Sequence, residues 1–350
     1  MRNLAAAVLI AALASPIASS AVGQCADTDK VCARQAALSH PLRSIESWRD
    51  TLKLPVAARF GPASPALVEY LTLDNIAGGF PERPRPASLS ADFVADVRAA
   101  LDELPASVKR ALGKDFGGIY FVESLGGTGY TDYIREGARE VGSFIVLDAT
   151  VLAKYTANAW ATWRENTPFV PNAGHSLRAR IATDAQDHRK GAIQYILLHE
   201  LGHVVSTTAR VHPSWSRRPK DVTPAEEYPY YRLSWRMDRE GDRYAWLHEA
   251  DFPERARIVY YLGARLQGAQ MELVYQRLRA TSFPTLYAAT HPADDFAEAF
   301  ANYVHVELMK KPFEIEILRN GHVVKSYGPC WAEARCADKR RILESLLATP

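Results

Sequence analysis

His199, Glu200 and His203 lie in the run His199-Glu200-Leu201-Gly202-His203. On an α-helix, residues i and i+4 share a face, so both imidazoles can reach one metal ion. The carboxylate between them, turned by about 100°, addresses the water on that ion. The pattern predicts zinc hydrolase chemistry, with His199 and His203 as ligands and Glu200 as general base. The preceding run from Gly191 to Leu198 is apolar enough to be a buried helix, and Gly202 is small enough to admit a second backbone or the metal's surroundings.

Two histidines leave a catalytic zinc incomplete, because such sites take three protein ligands and keep one position for water. The metzincin extension HExxHxxGxxH is absent: position 209 is Ala209, and the next histidine is His212. The best source of a third ligand is Leu286-Tyr287-Ala288-Ala289-Thr290-His291-Pro292-Ala293-Asp294-Asp295-Phe296-Ala297-Glu298-Ala299-Phe300. Pro292 can start a helix on which Asp294 and Glu298, four apart, share a face. His291, next to that helix, is expected to cap it or line the site.

With these residues the chain resembles the gluzincin metallopeptidases related to anthrax lethal factor and the Pro-Pro endopeptidases. In that group a segment like E-F-F-A-E-A-F carries the third ligand on a second helix, with a tyrosine seven positions earlier. Phe296-Ala297-Glu298-Ala299-Phe300 aligns to it without gaps. The resemblance implies Asp294 as ligand, Glu298 as the group behind the ligands, and Tyr287 as donor to the substrate oxyanion. Asp294 is one methylene shorter than the usual Glu, so either the helix sits closer or Glu298 takes the ligand role. The resemblance covers about Gly191 to Tyr303.

The elements that must position these residues can be read more coarsely. Gly118-Ile-Tyr-Phe-Val and Gly142-Ser-Phe-Ile-Val-Leu have strand composition, and Gly126-Gly-Thr-Gly between them reads as a turn near the cleft. Ser90 to Leu101 reads as a capped amphipathic helix, and Glu254 through Ala280 as helical. The expected fold is α+β and zincin-like, mostly helical, with a small mixed sheet packed on the active-site helix. Residues 1–23 read as a signal peptide, 24–114 as a mainly helical N-terminal region, and 115–350 as the catalytic domain.

With 47% hydrophobic and 23% charged residues the composition is that of a globular protein, and roughly 325 mature residues suffice for one large or two modest domains. A net charge of +2 with scattered basic residues gives no reason to expect nucleic acid. No later stretch predicts an integral membrane segment after signal removal. Export to the periplasm or medium predicts that Cys25, Cys32, Cys330 and Cys336 form two disulfides, with connectivity open.

The chemistry implied is peptide-bond hydrolysis. Zinc would bring its water to a pKa of roughly 7, and Glu200 would take the proton and return it to the leaving amine. A strand such as Ser143 to Leu147 could pair with an extended peptide or protein substrate. The alternatives are a hydrolase of a cell-wall amide and a binding or regulatory module with little turnover.

Overall fold

The computed structural model describes residues 25–113, 116–223 and 227–348. The signal-peptide reading of 1–23 falls outside them. The architecture is mixed α and β with small sheets. The main sheet contains β1 (Phe60–Pro62), β2 (Phe116–Glu123), β3 (Gly129–Glu136) and β4 (Arg139–Asp148), in the order β1-β2-β4-β3. β1, β2 and β4 run parallel, and β3 returns antiparallel to β4.

Alternation along the strands gives this sheet two apolar faces. Val122, Ile134, Phe144 and Val146 point to a smaller core with Trp48, Tyr70, Leu71 and Leu73, the last three from α1 (Pro65–Gly78). Ile119, Phe121, Ile145 and Leu147 point to the larger core. That core contains α2 (Ala91–Asp102), α3 (Ala157–Asn166), α4 (Arg189–Ala209) and α5 (Pro292–Tyr303). The C-terminal helix α6 (Ala337–Ala348) joins it through Leu343 and Leu347. A second antiparallel sheet, in the order β7-β6-β5, consists of β5 (His175–Arg180), β6 (Glu314–Arg319) and β7 (His322–Tyr327).

α4 is enclosed by the sheet and by its neighbouring helices, which is why its apolar residues from Ala192 to Leu201 are not confined to one stripe. It ends at Arg210, in the left-handed region at φ 51°. α5 begins at Pro292 and is capped by His291, whose Nδ1 accepts from the Ala293 amide at 3.2 Å.

Two expectations change. Ser143 to Leu147 lies inside the sheet, paired by β2 on one side and β3 on the other, so its backbone is not available to a substrate; the edge strand on the side of α4's Glu200 is β3. Glu254 to Ala280 is not one helix. Only Met271–Leu278 is α-helical; Tyr261 and Gly263 adopt positive φ, 65° and 95°, at which a right-handed helix cannot continue, and Leu266–Gln267 is extended.

The cysteines pair locally, Cys25 with Cys32 and Cys330 with Cys336. Among the described residues no helix is long and apolar enough to cross a membrane.

Candidate metal centre

α4 presents His199 and His203 on one face, with ring centroids 4.9 Å apart. α5 crosses it and brings Asp294 to them. Ligand atoms of His199, His203 and Asp294 all lie within 4.8 Å of one another, and Asp294 Oδ1 is 3.7 Å from His203 Nε2. The close crossing depends on Gly202: a Cβ there would stand 2.7 Å from the Ala297 Cα.

Glu298, one turn beyond Asp294, meets this cluster from behind His199 and is fully buried. Its Oε1 accepts from His199 Nδ1 at 2.8 Å and lies 2.6 Å from Arg164 Nη2, and its Oε2 accepts from Thr285 Oγ1 at 2.7 Å. Burial alone would raise this carboxyl. The Arg164 guanidinium and His199 outweigh burial and hold it at about 2. An ionised Glu298 requires a proton on His199 Nδ1, which leaves the lone pair on Nε2, the nitrogen free to ligate.

The other carboxyls respond to different surroundings. Burial pushes Asp294 up to about 6. Burial likewise raises Glu200, opposed by His199 and by the hydrogen bond from Thr131. Burial and the neighbouring His199, His212 and His291 rings push His203 well below its ordinary value, so it is neutral and able to ligate. For His199, burial opposes the charged form, but the contact with Glu298 prevails and raises it.

Glu200 points toward the sheet. Its Oε2 accepts from Thr131 Oγ1 at 2.6 Å, and a methyl at Gly129 would overlap its carboxylate. Gly129 and Thr131 are alternate residues of β3, so both face α4. Tyr287 lies in a short turn before α5, its ring 5.5 Å from that of His199. Tyr287, His199, Glu200, Gly129 and Tyr261 border a cavity of about 130 Å³. Gly127, Thr128 and Tyr261 also border a neighbouring cleft of about 680 Å³, walled by Trp163 and Phe169. The Gly126-Gly-Thr-Gly turn thus sits beside the cluster.

The donor set, two imidazoles and a carboxylate with one imidazole oriented from behind by Glu298, is of the kind that holds zinc. Sequence reasoning did not find Thr131, Thr285 or Arg164. Nothing local distinguishes Arg164 among 42 lysines and arginines; it matters only because the fold brings the last turn of α3 to Glu298 of α5. Thr131 belongs to a strand with mixed polarity, and its role arises from packing on α4. Compared with known proteins, the chain matches no family model, no curated protein and no solved structure.

Proposed function

We propose that this chain is an exported, zincin-like zinc metallopeptidase of the gluzincin type, which hydrolyses peptide bonds. The observation that carries the reading is the convergence of His199, His203 and Asp294 from two crossing helices, with Glu200 on the same helical turn. When bound, zinc would polarise the substrate carbonyl and lower the pKa of its water to roughly 7. Glu200, held by Thr131, takes the proton from the attacking water and carries it to the leaving amine. Tyr287, across the same cavity from Glu200, donates to the oxygen on which negative charge develops.

The peptide class is supported by β3, a sheet edge running past Glu200. Among the described residues, its outer side is bridged only at Arg135, by Ser44. An extended chain can add to such an edge through its own backbone groups. The two disulfides agree with an oxidising compartment.

The test is zinc stoichiometry together with cleavage of a mixed peptide library, with and without chelator, for the wild type and Glu200→Gln. Stoichiometric zinc, cleavage abolished by chelator and restored by zinc, and a Gln variant that keeps zinc but loses at least 100-fold in turnover are expected, roughly the contribution of a positioned base. A zinc-loaded wild type that cleaves nothing would instead make the chain a binding module, and absence of zinc uptake would overturn the metal reading.

A further inference from the structure

Arg164 occupies the last turn of α3, and its side chain is only 5% exposed. A guanidinium removed from water needs charge and hydrogen-bonding partners in compensation. Two carboxylates supply the charge: Glu298 at 2.6 Å and Glu165 at 3.9 Å. Aromatic faces supply the rest, with the guanidinium carbon 4.7 Å from the centroid of Tyr287, 5.4 Å from Trp160 and 5.8 Å from Tyr260. One buried cation therefore touches both the carboxylate that orients His199 and the ring of Tyr287.

We infer that Arg164 is a positioning residue that holds the two halves of the site in register: through Glu298 it fixes the His199 ring, and through its cation–π contact it holds the Tyr287 ring. The inference rests on the reading of His199, His203 and Asp294 as a zinc site. Glu298 reaches His199 with the same oxygen that meets Arg164, so without the cation this buried carboxylate would retain only His199 and Thr285. Tyr287 stands in a short turn, and Arg164 packs on its ring from α3, a rigid element. The geometry demands arginine. A guanidinium is broad enough to meet a carboxylate with one nitrogen while its carbon stays 4.7 Å from the Tyr287 centroid, whereas a lysine ammonium is a single compact charge that, drawn to the carboxylate, leaves the ring.

The two contacts predict separable losses. Wild type, Arg164→Lys and Arg164→Met are compared by zinc affinity against a chromophoric chelator, by the absorption spectrum of the cobalt-substituted protein, and by kcat and KM at saturating zinc on a peptide cleaved by the wild type. Arg164→Met should lose 10 to 100-fold in zinc affinity, the range for a group behind a metal ligand, shift the cobalt spectrum, and lower kcat with KM little changed. Arg164→Lys should regain most of the zinc affinity and the wild-type spectrum but not kcat. A merely structural arginine would not divide the two readouts in this way.

Wild-type zinc affinity and kcat in a folded Met variant would overturn the inference while leaving the zinc reading intact. A wild type that takes up no zinc would remove the zinc reading and the inference with it. Should the Met variant not fold, the Lys variant decides alone: full recovery of kcat, or loss of both properties together, refutes the two-contact role.

Discussion

Glu200, Asp294 and Glu298 are chemically similar acids crowded around two imidazoles, and their partners divide the work. Glu298 has both oxygens occupied by His199, Arg164 and Thr285, and it stays charged because a cation lies against it. Asp294 keeps a side chain 23% exposed, with one oxygen on Thr290 and the other toward His203. Alanine at the two positions should therefore differ in kind. Asp294→Ala removes a proposed ligand, so zinc affinity should collapse with little change in folding stability. Glu298→Ala should lower zinc affinity by about 10 to 100-fold and destabilise the fold by about 3–5 kcal/mol, because it strands the buried Arg164. Chelator competition and urea denaturation on both variants check this; equal zinc losses would remove the distinction between ligand and orienting group.

At the scale of elements, the site is a helix crossing braced by a strand. Asp294 is the short one of the proposed ligands, and a short ligand requires the helices to approach closely. Gly202, midway between Glu200 and Val204 on α4, allows this by packing against the Ala297 backbone of α5. Gly202→Ala should push the helices apart, cost about 1–3 kcal/mol as an overpacked contact, and lower zinc affinity without touching any ligand. Calorimetric zinc titration of this variant tests the point, and an unchanged affinity would show that the crossing has slack. On the opposite side of α4, β3 braces Glu200 with Gly129 and Thr131, so its carboxylate is fixed by a strand rather than by its own helix.

At the scale of the molecule, α5 is tied to distant parts of the chain by the residue next to Asp294. Asp295 is fully buried and receives Lys339 Nζ from α6 at 2.5 and 2.7 Å, Trp235 Nε1 at 2.9 Å and Tyr230 OH at 3.2 Å. Burial pushes Asp295 up and Lys339 down, and each is held against that tendency by the other. Lys339→Met leaves a buried carboxylate without its cation and should cost about 3–5 kcal/mol in urea denaturation. A double variant with Asp295→Asn should recover part of that loss. A single-variant cost below about 1 kcal/mol, the range of surface pairs, would show that α6 does not anchor α5. The nearby Trp331 Nε1 donates to Asn302 Oδ1 at 2.8 Å, and the Cys330–Cys336 bridge closes the same corner.

What the sequence by itself determined is whatever depends on short-range periodicity. His199, Glu200 and His203 occupy neighbouring helical positions because 3.6 residues per turn leaves no other arrangement, and Pro292 with His291 marks the start of the second helix in the same local way. The strands at 118–122 and 142–147 were legible from β-branched and aromatic composition. β3 was not, because Gly-Tyr-Thr-Asp-Tyr-Ile-Arg-Glu carries polar residues toward both a helix and an N-terminal core, and Glu254 to Ala280 lost its helical reading to positive-φ residues. Only the tertiary structure decided which oxygen faces which imidazole, that the cysteines close two local loops, and that Arg164 and Thr131 belong to the site. Those contacts join residues far apart in sequence, and their energies depend on burial and on the angle at which helices cross, neither of which a local pattern encodes.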